Sequence, residues 1–143
     1  MTAAQKIISG PDIPRIEVVH EDDRRTVREV NLRLPDGTMR HITHLAIKGS
    51  GVLGNHYHND GPEHFAVING NPLVVTAPHS NPTRLELRRF PDGGYVTMAP
   101  GEAHAFYFDQ PGDLISTMDG VFNPDDMHPQ KLEIPAPRPS FNH

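Results

Sequence analysis

The stretch Gly54-Asn55-His56-Tyr57-His58-Asn59-Asp60-Gly61-Pro62-Glu63 decides how this chain is read. In an extended strand residues two apart share a face, so His56 and His58 present two imidazoles side by side while Asn55, Tyr57 and Asn59 point the other way. Asn59-Asp60-Gly61-Pro62 is a turn-forming segment that sends the chain back, so that Glu63 opens a neighbouring strand close to those imidazoles. Two nitrogen donors and a carboxylate oxygen in that arrangement suit a divalent metal ion.

A fourth donor comes from further along. Pro100-Gly101 makes a tight turn and His104 begins the next extended run, sharing a face with Phe106 and Phe108. With His104 turned inward, Phe106 and Phe108 line the same cavity as an apolar, substrate-facing wall beside the ion.

Working outward, short extended runs succeed one another with turn signals between them. Residues 26–34 and 39–48 flank Pro35-Asp36-Gly37 and read as a hairpin; 52–58, 63–68, 73–77, 83–90, 95–99, 103–108 and 114–118 follow. Pro (15) and Gly (12) interrupt almost every window of helical length, and no stretch sustains apolar residues at i, i+3, i+4 and i+7, so no helix is predicted. Many short strands without helical connections predict an all-β, antiparallel sandwich or barrel, with the jelly roll a natural candidate. One domain over residues 1–143 is expected, with a barrel core at about 26–120, an N-terminal arm at 1–14 and a Pro-rich tail at 121–143. The tail carries Pro124, Pro129, Pro135, Pro137 and Pro139, and three fates are open to it: running over the barrel, running over a neighbouring subunit, or disorder.

A net charge of −5 gives no basic footprint for nucleic acid, and no window approaches the length of a membrane span. The absence of cysteine excludes a disulfide framework and a thiolate metal site, which leaves nitrogen and oxygen as the only donors. No signal-peptide pattern opens the chain, so a cytoplasmic location is the expectation. Of the ten histidines, His41 and His44 differ by three and face opposite sides of their strand; His44, nearer the strand end, ranks first as a proton-transfer residue. His64, His79 and His128 read as surface groups.

The spacing His56-x-His58, four residues, Glu63, six residues, Gly70 resembles the first motif of the cupin superfamily, and Gly94, Pro100, Gly101 and His104 resemble the second. The chain departs from these motifs in three places: Ser50 stands where the first opens on glycine, Pro100 and Gly101 are adjacent where the second separates them by one residue, and Phe108 stands where the second ends on asparagine. The resemblance covers about residues 26–120. It implies a jelly-roll barrel, the double-stranded β-helix, in which His56, His58, Glu63 and His104 hold one divalent ion (Fe, Mn, Ni, Co or Zn). It also implies a homodimer.

A narrower similarity, carried by Gly54-Asn55-His56-Tyr57-His58, Glu63 and Asn123-Pro124-Asp125-Asp126, is to cupin domains of bacterial capsular-polysaccharide and deoxysugar biosynthesis proteins. That similarity implies a metal-dependent isomerase, epimerase or lyase acting on a small, oxygen-rich keto substrate such as a sugar, with Glu63 or His44 moving the proton. A metal-dependent dioxygenase and a non-catalytic sugar- or small-ligand-binding cupin are the alternatives.

Overall fold

A computed structural model describes residues 5–8, 10 and 13–134. Eleven strands succeed one another in it: β1 Glu17–Glu21, β2 Arg25–Arg33, β3 Met39–Ile47, β4 Gly51–Tyr57, β5 Glu63–Asn69, β6 Leu73–Pro78, β7 Glu86–Arg89, β8 Tyr95–Met98, β9 Glu102–Phe108, β10 Gly112–Asp119 and β11 His128–Pro129. Every pairing is antiparallel. They form a six-stranded sheet in the order β1-β2-β3-β10-β5-β8 and a five-stranded sheet in the order β11-β4-β9-β6-β7. The jelly-roll expectation is met.

The β2–β3 hairpin shows how local chemistry sets the register. Gly37 takes φ +88°, the Leu34 and Thr38 backbones bond across the loop, and Asp36 Oδ1 accepts from both the amide and the hydroxyl of Thr38. The register then runs without a break from Arg33↔Met39 to Arg25↔Ile47.

Between the sheets lies a core of Ile47, Leu53, Phe65, Val67, Val74, Phe90, Met98, Phe106, Phe108 and Leu114. A second apolar cluster covers the outer face of the five-stranded sheet: Val75, Ala77, Ala103, Ala105 and Tyr107, closed over by Leu132. β9 is therefore buried on both faces, with His104, Phe106 and Phe108 turned inward and Ala103, Ala105 and Tyr107 outward.

Three elements differ from the sequence expectation. β1 was not anticipated, and it pairs with β2 through an irregular register between Val18 and His20. The strand expected over 83–90 shortens to Glu86–Arg89, because Asn81 draws the chain into a turn by accepting from the Arg84 amide and the Thr83 hydroxyl. Of the three fates for the tail, the first holds as far as Ile134. Tyr107 donates to the Leu132 carbonyl at 2.6 Å, the Leu132 amide donates to Asn55 Oδ1, and Leu132 is wholly buried. Pro135, Pro137 and Pro139, and much of the N-terminal arm, lie outside the described residues. Among the described residues the only helical elements are short 3-10 turns, and no helix is long and apolar enough to cross a membrane.

Candidate metal centre and its cavity

His56 reaches the interior because of a backbone irregularity that parity alone does not reveal. On β4, Leu53 opposes Phe106 and Gly54 opposes Ala105, so an unbroken ladder would set His56 against Ala103, on the outer face. A bulge between Gly54 and His56 inserts Asn55 as an extra residue and sets His56 opposite His104 instead. Gly54 and Asn55 both take positive φ, +90° and +60°, the region that glycine enters freely and asparagine tolerates best of the others. A Cβ on Gly54 would lie 2.6 Å from the His104 carbonyl oxygen, so the close approach of β9 admits only glycine there.

The four residues singled out by spacing converge. Their ligand atoms all lie within 4.8 Å of one another. His58 Nε2 stands 3.1 Å and His104 Nε2 3.4 Å from Glu63 Oε1, and the His56 ring lies 4.8 Å, centroid to centroid, from each of the other two imidazoles. The opposite ring nitrogens are tied to backbone carbonyls: His58 Nδ1 donates to Asp126 at 3.0 Å and His104 Nδ1 to Glu102 at 3.1 Å. Those bonds direct the Nε2 lone pairs toward Glu63, the orientation that metal-ligating histidines take from their outer partners.

The donors fit an ion. Among the described residues, the buried atoms His58 Nε2, His104 Nε2 and Glu63 Oε1 approach one another but make no well-aligned hydrogen bond, a costly arrangement for polar groups unless something else satisfies them. Burial pushes the His56 imidazole down to about 4, helped by His104 and His58, which keeps its lone pair free at neutral pH. Burial also works to raise Glu63, but the imidazoles of His104 and His58 outweigh it and hold the carboxylate at about 2. His58 moves up against its own burial because the Glu63 carboxylate faces it.

Asp126, which belongs to the stretch carrying the narrower similarity but has no role assigned from the sequence, holds this corner together. Its two carboxylate oxygens accept from the amides of Asn59 and Asp60, in the turn that separates His58 from Glu63, while its own carbonyl takes the His58 bond. Asn123 caps the 3-10 turn Pro124–Asp126 by accepting from the Asp125 amide, which sets the backbone of that carbonyl.

The centre opens onto a cavity of about 290 Å³ between the sheets. Phe106 lines it; Phe108 does not, and packs over Gly70 and Gly112, where a Cβ on either would meet its ring at 2.9 and 2.7 Å. His44 does not reach the cavity either. It turns outward and bonds Asp113 Oδ1 at 2.9 Å, whereas His41, Thr43 and Leu45 face inward. Parity along the strand is divided: Met39, Leu45 and Ile47 share the face of His41, whereas Ile42 and Ala46 share the face of His44.

His41 sits in a polar group of its own. Its Nδ1 donates to Asn31 Oδ1 at 2.9 Å, its Nε2 accepts from the Thr43 hydroxyl at 3.1 Å and stands 3.8 Å from Glu29 Oε2, and its ring stacks on Phe122. Glu29, Arg25 and Ser116 join it along the cavity.

The sequence matches no protein-family model and no curated protein. Solved structures do resemble it in fold. The capsular polysaccharide assembling protein CapF from Staphylococcus aureus superposes with a TM-score of 0.69 at 20% identity, over 85% of this chain and 33% of that one. CapF with the inhibitor 3-isopropenyl-tropolone gives 0.67 at 20% identity, over 82% and 35%. A single-residue variant of oxalate decarboxylase from Bacillus subtilis gives 0.66 at 17% identity, over 80% and 30%. The chain thus spans about a third of the length of these neighbours. With two antiparallel sheets, a His-His-Glu-His cluster between them and these structural neighbours, the chain has the fold of the cupin superfamily.

Proposed function

We propose that this chain is a metal-dependent cupin enzyme that moves a proton at the carbon next to a carbonyl in a small, oxygen-rich substrate, in an isomerisation, epimerisation or lyase reaction. The observation that carries the reading is the set of orphaned donor atoms of His58, Glu63 and His104, completed by His56, at the wall of a cavity large enough for a small molecule. Those four residues would hold the ion, which when bound supplies Lewis-acid polarisation of a substrate oxygen. The fold of CapF, a protein of capsular polysaccharide assembly, makes a sugar-derived substrate the first class to try.

The proton is carried by His41, which takes the role the sequence suggested for His44. The Asn31 oxygen accepts from Nδ1, which makes Nε2 the basic nitrogen; the Thr43 hydroxyl that donates to Nε2 must turn away for it to take a proton, and Glu29 at 3.8 Å then stabilises the imidazolium. Glu63, flanked by two imidazoles and kept anionic, serves as a ligand rather than as the base. Leu53, Phe65, Phe106 and Leu114 give the cavity an apolar lining that excludes water from the reacting carbon.

The test has two stages. Purified protein is expected to retain about one divalent ion per chain by elemental analysis and His56→Ala to lose it; equal, negligible metal in both sinks the reading. Keto sugars incubated with the metal-loaded protein in deuterated water without oxygen are then expected to gain deuterium next to the carbonyl. Turnover that requires oxygen assigns the site to a dioxygenase instead.

A further inference from the structure

The cavity contains a cation that the proton-transfer chemistry does not use. Arg25 stands at the start of β2, opposite Ile47 in the ladder, and shares an inward face with Val27 and Glu29. Its backbone is pinned: the Arg25 amide donates to Asp22 Oδ1 at 3.0 Å and its carbonyl accepts from the Asp22 amide at 3.0 Å. Its Nε is buried with no hydrogen-bond partner, and no ion pair ties its guanidinium among the described residues. Glu29, the carboxylate on the same inward face, lies beside His41 instead.

A guanidinium is costly to hold half-buried beside Val27, Leu45 and Leu114 with a donor unspent, unless an acceptor arrives to meet it. Its planar fork matches the two oxygens of a carboxylate or the oxygens of a phosphate. We propose that Arg25 is the anion-binding subsite of this cavity, and that the substrate carries a carboxylate or phosphate group which Arg25 engages while its keto end faces His56, His58, Glu63 and His104. The placement of the keto end rests on the function proposed above; the anion contact does not. Arg25 then fixes which way round the substrate lies and rejects neutral analogues, which leave the guanidinium without an acceptor.

Calorimetric titration of the metal-quantified protein with pyruvate, methyl pyruvate and inorganic phosphate tests this. Pyruvate is expected to bind at least about tenfold more tightly than its neutral ester. Arg25→Gln is expected to weaken pyruvate by about tenfold or more with metal content and Tm unchanged, while Arg25→Lys, which keeps the charge and loses the fork, weakens it less. Phosphate that competes with pyruvate in an Arg25-dependent way identifies a phosphorylated substrate; phosphate that fails to compete identifies a carboxylate. Equal binding of acid and ester, pyruvate affinity indifferent to Arg25, or no binding of either anion overturns the proposal. Should Arg25→Gln fail to fold, the comparison of Arg25→Lys with wild type, and of acid with ester on wild type, decides it alone. Arg25-dependent anion binding in a chain that holds no metal keeps the subsite and removes the metal-dependent reading.

Discussion

The two walls of the cavity are built on different plans. On the metal-facing wall, three of the four donors come from residues 56–63, and the backbone carbonyls behind His58 and His104 belong to Asp126 and Glu102. On the opposite wall, Arg25, Glu29, His41 and Thr43 come from the β2–β3 hairpin and Ser116 from the distant β10, and strand pairing brings them to one face. The first wall is a local device whose donors wait for one small ion; the second is a product of topology, with separate groups suited to separate parts of a larger ligand. Binding of the ion should therefore be sensitive to a few backbone anchors, and substrate selection to side chains that leave those anchors alone.

The strongest way to break this contrast is at Asp126. Asp126→Ala removes both acceptors for the turn between His58 and Glu63, and metal affinity is expected to fall about 10–100-fold by competition titration against a chromophoric chelator. Asp126→Asn, which keeps one acceptor oxygen, should fall between. Unchanged affinity in Asp126→Ala would show that the donors are held by the strands alone.

The opposite wall predicts the reverse pattern. His41→Gln is expected to leave metal stoichiometry intact while slowing deuterium wash-in by about 100-fold, the usual range for losing a general base. A comparable loss in His44→Gln would return the role to the outward histidine and contradict the register of β3.

The smallest effect concerns pH in the metal-stripped protein, where three ionisations occupy separate windows. His58 has a raised folded value, so its stabilising contribution is complete below 6.5 and is lost as pH rises through that folded value. His56 is lowered from 6.5 to about 4, so between these the unfolded chain binds more protons and stability falls with acidification. Glu63, lowered from 4.5 to about 2, contributes above 4.5 and loses that contribution as pH falls toward 2. The thermal midpoint should peak near pH 6.5 and drop by about 5 °C on the acid side, while saturating metal flattens the alkaline side. A midpoint that climbs steadily toward pH 5 contradicts this ordering.

The same division explains what could be read from the sequence. The donor set was legible because His56, His58 and Glu63 sit within one turn of each other and their spacing is the signal. The face they occupy was not, since it depends on the single extra residue at Asn55, and a bulge carries no periodicity of its own. The opposite wall is less legible: nearness to the strand end favours His44, and apolar parity does not decide between the two histidines, because Leu45 and Ile47 fall with His41 but Ile42 and Ala46 fall with His44. Asp126 and Leu132 were hidden for another reason. They lie in a Pro-rich segment whose bonds to Asn59, Asp60, Asn55 and Tyr107 are made across the fold, not along the chain.

The docking of that segment sets a schedule for synthesis. His56, His58, Glu63 and His104 all leave the ribosome before the carbonyl that orients His58, and the Leu132 plug that locks Asn55 at the bulge emerges later still. A nascent chain paused after β10 would hold every donor and the Glu102 carbonyl behind His104, but would lack the Asp126 carbonyl behind His58 and the Leu132 amide behind Asn55. Such an intermediate would capture an ion loosely and release it quickly. On the proposed metal-binding role, firm retention would begin only when residues 126–132 lie down on the barrel, and that segment would act as the latch on metal loading.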